Sequence, residues 1–478
     1  MKKRILFIII LFLTAFGFQI TTYAINQNQS VAIQNLLDEA CKKSNTPGIS
    51  VAIVSEKETS FFSSGYSNLD KKIPADEQTI FELASVSKAF TALGILKLEK
   101  QGMLSRTDKI QDYLPWLAFN YRGKSVDMNQ LTINNFLNHT SGLTNRKHSA
   151  TIPEGNSPNM LEKTVKNIKQ ADLAFLPRES HEYGTINYDI LGLLIEVVSE
   201  KNYEEFMTSE ILQPLNLKNT YVTSNEIKNS DSLSLGYRSF FFQPLHYEAP
   251  KFRGNTPAGY LLSNSKDLAR WMSIQLNQTT DIPNVFTSLI NESHQQKYAA
   301  LLSKDMSYGV GWFMSTDGTI IFHPGRNPNF AADIHLFPKE KIGISLLANN
   351  ANANPDLVLA IKSILDVDLK QSYSLSRIQQ LDVSLTIVTI ICSILFLITI
   401  GLNKKIRRNL SKSLLKQHLH FLSIMSLSLS VVLLIISIIV LVNHRHIFTW
   451  QPYSIATALV SSLLLFSTLF LLLIKENK

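Results

Sequence analysis

The feature that most restricts this 478-residue chain is the way its hydropathy is segregated. Three apolar runs of membrane-spanning length, 385–402, 421–442 and 454–474, succeed one another at the C-terminal end. A chain built this way divides into a water-facing body at 25–370, a short linker at 371–384 and a three-helix membrane anchor at 385–478. At the other end the apolar run ILFIIILFLTAFGF stands behind Lys2, Lys3 and Arg4 and ahead of Thr22, Tyr23 and Ala24, the pattern of an export signal over residues 1–24.

Charge orients the anchor. Lys404, Lys405, Arg407, Arg408, Lys412 and Lys416 crowd the loop between the first two runs, whereas the loop before the third holds only Arg445. Short basic loops stay in the cytoplasm, so the body belongs on the extracytoplasmic side, with Trp450 and Tyr453 as anchors at the outer interface. The leader and loop cations together exceed the formal net charge of +8. The rest of the chain is therefore close to neutral, which speaks against a nucleic-acid partner and leaves the lipid bilayer as the expected contact of the basic residues. Cys41 falls in the body and Cys392 inside the first apolar run, so no disulfide framework is expected.

Within the body, residues 30–43 read as an amphipathic helix, and ISVAIVSEKETSFFSSGYSNL reads as a β-hairpin turning near Glu56 and Lys57. From about 79 to 290 helical patterns and long loops dominate. Strand signals return in YGVGWFMS, TIIFHPG, ADIHLFP and KIGISLLAN, and DLVLAIKSILDVDL closes the body as a helix. The economical topology is a sheet assembled from both ends of the body with a helical insertion between, an α+β fold. Pro324 demands a place in its strand where no amide has to donate.

Ser85-Val86-Ser87-Lys88 places a hydroxyl and an amine one helical turn apart. A serine needs its proton removed to attack a carbonyl, and a lysine among Ala84, Ala89 and Phe90 is shielded enough to lose its charge near neutrality. Spacing alone is weak evidence, because Ser263-Asn264-Ser265-Lys266 repeats it; there the expected role is a helix N-cap ahead of DLARWM.

The segments downstream of Ser85 separate the two copies. His139-Thr-Ser-Gly-Leu143, Tyr183-Gly-Thr185-Ile-Asn-Tyr188, Pro257-Ala-Gly-Tyr260 and His323-Pro-Gly325 come in the order in which this chain resembles the penicillin-recognising serine hydrolases, the class C β-lactamases and related peptidases and esterases. The resemblance spans about 30–365. It implies a class C β-lactamase-like antiparallel sheet flanked by helices, with a helical lobe. It further implies acylation of Ser85, proton handling by Lys88 and Tyr183, and an oxyanion hole from the backbone N–H groups of Ser85 and Arg326, beside the strand residues His323 and Gly325. His139 is expected to shape the wall of the site. No metal and no cofactor are implied.

The departures narrow the substrate. Thr185 stands where the tyrosine motif commonly ends in Asn, and His323-Pro324-Gly325 where true β-lactamases have Lys-Thr-Gly, so the usual carboxylate grip is missing. Pro177-Arg178 replaces a frequent Pro-Gly. The whole layout also resembles two narrower groups, the FmtA-like proteins, related to enzymes that remove D-alanyl esters, and peptidases of the colibactin-maturing type, which remove an N-acyl-D-asparagine cap from a prodrug. Similarity to the second group rests on Glu82-Leu-Ala-Ser85, on 121–142, on 249–260 and on Asn327-Pro-Asn-Phe330. It places the substrate-binding pocket at Thr185, Asn255 and Asn327, although that group carries histidine at the place of Asn255. The expected substrate is a small peptide, prodrug or cell-envelope amide or ester of a D-amino-acid residue. A penicillin sensor would need a cytoplasmic effector larger than the basic loop, and a non-catalytic binding module would not need Ser85, Lys88 and Tyr183 together.

Overall fold

The computed structural model describes residues 24–227, 230–241, 243–353, 356–406 and 454–475; the expected leader and the apolar run 421–442 lie outside the described residues. Asn26 opens the first helix, α1 (Gln27–Ser44), with a reciprocal capping box to Gln29, and Asn45 ends it in the left-handed conformation. The β-branched segments on either side of Glu56 and Lys57 pair as β1 (Gly48–Val54) and β2 (Thr59–Asn68), with β3 (Ile73–Pro74) beyond.

The chain then enters the helical lobe, whose principal members are α2 (Ser87–Lys100), α3 (Ile186–Ser199), the single turn α4 (Thr256–Gly259) and α5 (Ser265–Gln275). Between α3 and α4 stands a small hairpin of its own, β4 (Tyr237–Phe240) and β5 (Gln243–His246). The late strand signals become β6 (Ala300–Leu301), β7 (Met306–Tyr308), β8 (Phe313–Ser315), β9 (Ile321–Arg326), β10 (Ala331–Phe337) and β11 (Ile342–Ala348), followed by α6 (Asp356–Leu365).

These strands and the N-terminal hairpin form one nine-stranded antiparallel sheet in the order β6-β7-β8-β9-β10-β11-β1-β2-β3. The joint between the chain ends is the β1–β11 ladder, from Ile49 opposite Ala348 to Val54 opposite Gly343. β1, β10 and β11 are buried along their whole length because both faces of the sheet are covered. On one face Ile33, Leu36 and Leu37 of α1 and Val358 and Ile361 of α6 pack against Val51, Ile53, Ile344 and Leu346. On the other, the helical lobe and α5 share a larger core in which Phe90 stacks on Trp271 at 4.1 Å. Each such side chain contributes about 1.5–3 kcal/mol through burial, so the core supplies the stability that no disulfide provides; Cys41 and Cys392 are both free.

Pro324 is accommodated as its chemistry requires. β8 pairs with β9 only at Ile321 and Phe322, so from His323 to Arg326 that side of β9 is an open edge inside the sheet, while β10 continues to pair on the other side.

Two helices long and apolar enough to cross a membrane come after the body, α7 (Arg377–Ile406) and α8 (Ser454–Lys475), and they pack against each other. The expected three-helix anchor is thus represented by two helices among the described residues. Helix α7 starts well ahead of the apolar run, within the stretch read as a linker.

Candidate active site

Ser85 sits in a tight 3-10 turn, Ala84–Val86, that runs straight into α2. Ala84 holds φ at 45°, a conformation that costs a residue with a side chain free energy and persists because the surroundings enforce it. One enforcing contact comes from β9. A Cβ on Gly325 would lie 2.6 Å from the Leu83 carbonyl and 3.0 Å from the Ser85 amide nitrogen, so only glycine lets the open strand edge close on this turn.

One turn along, Lys88 is fully buried, and its ammonium nitrogen lies 3.1 Å from Ser85 Oγ and 3.3 Å from Thr185 Oγ1, while donating to the Ala258 carbonyl of α4. Burial pulls its pKa down from the usual lysine value to about 7, against the opposing field of Asp189. A substantial fraction of Lys88 is therefore neutral at physiological pH and able to accept a proton from Ser85.

Tyr183 borders the same cavity, and the Lys88 nitrogen stands 5.1 Å from its ring centroid. Its hydroxyl is shielded from solvent beside Ser85; burial pushes its pKa up, and the hydrogen-bonding influence of Ser85 opposes that shift. The phenol thus carries a proton and is free to give it to a departing atom near Ser85. His323 is buried too. Its Nδ1–H donates to the Pro324 carbonyl at 2.7 Å, which leaves Nε2 to accept from the Tyr308 hydroxyl at 3.1 Å. Burial, then the charge of Lys88, pulls its pKa down to about 3, so it is a neutral, fixed polar wall.

Ser85, Tyr183, Phe313, His323, Gly325 and Arg326 line one cavity of about 360 Å³. The geometry thus brings together Ser85, Lys88, Tyr183 and the strand residues. The three residues read as the substrate pocket are arranged differently. Thr185 touches Lys88, whereas Asn255 donates its amide to Asp189 at 2.7 Å and Asn327 donates to Glu82 and to the Gly259 carbonyl. Their nitrogens are engaged within the protein. Their carbonyl oxygens each lie within 3.8 Å of where a Cβ on Gly259 would stand, and neither residue lines the cavity that holds Ser85.

Sequence reasoning missed Asp189, a fully buried carboxyl one turn beyond Thr185, with one oxygen on Asn255 and the other unpartnered. The signal was present: it is the one acidic residue in the apolar run INYDILGLLI. His139, expected to shape the wall of the site, is fully buried behind Tyr183 and does not itself line the cavity. Its Nδ1 accepts from the Asn187 amide at 3.1 Å, its ring lies 4.3 Å from that of Tyr183, and Nε2 has no partner.

A buried lysine neutral near pH 7 beside a serine, a protonated tyrosine opposite, and a glycine strand edge closing on the serine amide is the arrangement of an acyl-transfer serine hydrolase. The chain belongs to the beta-lactamase family, whose pattern it matches over residues 33–369. Among its relatives, Protein flp of Staphylococcus aureus (strain MW2) is 30% identical over 458 residues, covering 92% of this chain and 90% of flp. Penicillin-binding protein 4* of Bacillus subtilis (strain 168) is 26% identical over 328 residues, covering 64% of this chain and 68% of that protein. The octameric penicillin-binding protein homologue from Pyrococcus abyssi shares the fold, with a TM-score of 0.62 at 24% identity, over 71% of this chain and 77% of that one. The protein is accordingly a serine hydrolase of the β-lactamase and penicillin-binding-protein kind.

Proposed function

We propose that this protein is an exported, membrane-tethered hydrolase that forms an acyl ester on Ser85 from amides or esters of D-amino-acid residues. Neutral Lys88 takes the Ser85 proton as Oγ attacks, Tyr183 delivers a proton to the leaving atom, and water releases the acyl group by the reverse proton path. The amides of Ser85 and Arg326 hold the developing oxyanion. The observation that carries the reading is the dry Lys88 amine within hydrogen-bond distance of Ser85 Oγ. The two apolar helices and the leader pattern support an extracytoplasmic, multi-pass arrangement.

Within that class, cleavage of an N-acyl-D-asparaginyl amide is favoured by the resemblance carried by 249–260 and Asn327-Pro-Asn-Phe330 and by Thr185, whose hydroxyl stands at Lys88. A second reading, a cell-envelope D-alanyl esterase or carboxypeptidase, is favoured by the Asn327 amide, whose two hydrogens are both engaged within the protein and which therefore has none to give a substrate carbonyl. Product formation by the full-length protein in membranes, wild type against Ser85→Ala, separates them when an N-acyl-D-asparaginyl amide, a D-alanyl ester and a chromogenic cephalosporin are compared. Cleavage of the D-asparaginyl amide alone supports the first reading and preference for the ester the second. Equal activity of Ser85→Ala on all three sinks both.

A further inference from the structure

The stretch between the body and α7 is fastened to the body. Tyr373 is buried, and its hydroxyl is 3.3 Å from the Asn352 carbonyl and 3.4 Å from Gln379 Oε1 in the first turn of α7. Gln379, also buried, donates its side-chain amide to the Lys43 carbonyl at the end of α1. Asn352 donates to the Ser44 carbonyl and to Ser239 Oγ on β4. One hydrogen-bonded cluster therefore joins the foot of α7, the end of α1, the loop after β11 and the small hairpin. The foot of α7 is thus tied to three elements of the body.

The hairpin stands at this foot, with β4 packed against α7. It forms a two-stranded sheet of its own, outside the main one. The body covers β4, with Tyr237 bridged to Asn350 and Tyr237, Arg238 and Ser239 buried, whereas the turn beyond it is apolar. Phe240 and Phe241 meet edge to face at 4.6 Å, Phe241 holds φ at 48°, and Leu245 on the returning strand is 43% exposed. Lys42 and Lys43 occupy the last turn of α1, where the Lys43 carbonyl accepts from Gln379 and the Lys43 ammonium pairs with Glu39. Aromatic and aliphatic side chains next to lysines, at the base of an apolar helix, are the composition of the membrane–water interface.

We infer that the β4–β5 hairpin is a second membrane contact, its Phe240, Phe241 and Leu245 dipping into the interfacial layer of the bilayer that α7 crosses. The inference rests on the reading of α7 as a membrane span. The body is thereby seated on the bilayer at two points and cannot tumble on a tether. The seat bears on the site as well. Gly236 before the hairpin and His246 and Tyr247 at its end line a cavity of about 400 Å³ that reaches Glu82, three residues ahead of Ser85. The hairpin is thus at once a foot on the membrane and a wall of a chamber that reaches Glu82.

The full-length protein in nanodiscs of phosphatidylcholine and phosphatidylglycerol tests this, with benzoylphenylalanine replacing Phe241, Leu245, Ile391 or Leu301 one at a time. Leu301, 72% exposed, lies in the terminal strand β6, and Ile391, 50% exposed, lies on α7. Illumination is expected to give lipid adducts from 391 and, at least about fivefold above the level from 301, from 241 and 245. Adducts from 391 with 241 and 245 no better than 301 overturn the seat and leave the span standing. No lipid adducts from 391 overturn the span and the seat with it. Cross-links from 241 or 245 to a second copy of the chain overturn the bilayer as occupant. Should the bulky replacements unfold the hairpin, Leu245→Cys carrying a nitroxide, in a Cys41→Ser, Cys392→Ser background, gives the same decision. Greater exposure to dissolved oxygen than to a water-soluble nickel chelate supports immersion, and the reverse overturns it.

Discussion

The chain spells Ser-X-Ser-Lys twice, and the two copies have opposite fates. In the first, Lys88 is fully buried and its amine lies 3.1 Å from Ser85 Oγ. In the second, Lys266 is exposed, Ser263 Oγ pairs with Thr220 Oγ1 at 2.8 Å, and Ser265 Oγ pairs with Ser50 Oγ at 2.8 Å. The second copy starts α5, where Asn264 accepts from the Asp267 amide as the N-cap. The backbones differ, since Ser85 lies inside a 3-10 turn that runs into α2, whereas Ser263 ends a short strand and Asn264 is extended. The cover over the lysine differs too: α3, α4 and the aromatic rings of Tyr183 and Tyr188 close over Lys88, whereas Lys266 faces water. A serine and lysine one turn apart become a nucleophile and base only when the amine is dry enough to lose its proton.

The largest effect that could break this comparison is at the serines. Ser85→Ala is expected to lower kcat by at least about a thousandfold, in line with nucleophile deletions in serine hydrolases, while Ser263→Ala leaves kcat within about twofold at the same enzyme concentration. Similar losses at both positions would remove the distinction. Next comes Lys88→Met, expected to lower kcat/KM by about a hundred- to ten-thousandfold, the range of a general base, and to raise the melting temperature. The sign of the second effect comes from linkage. Lys88 titrates lower in the folded than in the unfolded state, so the unfolded chain binds the extra proton between about pH 7 and the usual lysine value, and wild-type stability rises with pH across that window. A Lys88→Met variant that melts lower than wild type at pH 7 would mean that the amine is not desolvated.

A third test concerns pH. If neutral Lys88 is the base, kcat/KM falls about tenfold per pH unit below about 7. Asp189 opposes the lowering of the Lys88 pKa, so Asp189→Asn, close in shape and able to keep the contact with Asn255, should move this acid limb to lower pH. An unmoved limb would show that Asp189 is already neutral in the working enzyme. The smallest effect is expected at Lys266→Ala, with activity unchanged and stability within about 0.5 kcal/mol, as for an exposed side chain without special contacts; thermal melting alongside an activity assay checks both.

Much of the molecule was legible beforehand because it is written in local periodicity. The hairpin around Glu56 and Lys57, the late run of strands, the closing helix and the pairing of the chain ends stem from patterns of two and of 3.6 residues and from β-branched content. The open edge at Pro324 stems from the missing amide of proline. The orientation of polar side chains was not legible. Asn255 and Asn327 were expected to face a substrate, yet both amides turn toward buried carboxyl groups, Asp189 and Glu82. Nothing in the spacing of the four residues announces those pairs, which join segments far apart in the chain. The foot of α7 was equally hidden, since Tyr373 and Gln379 find partners only in α1 and in the loop after β11.

By itself the sequence determined the inventory and the order: an apolar C-terminal end, a body closed by its own two ends, and a serine and lysine on one turn of helix ahead of a tyrosine and a glycine strand. Only the tertiary structure decided which lysine lost its water, which amides were already spoken for and where the apolar helix α7 is fastened to the body. The physical reason is that backbone conformation is a short-range property of neighbouring residues, whereas solvation and hydrogen-bond pairing of a side chain depend on whatever the fold brings against it from elsewhere.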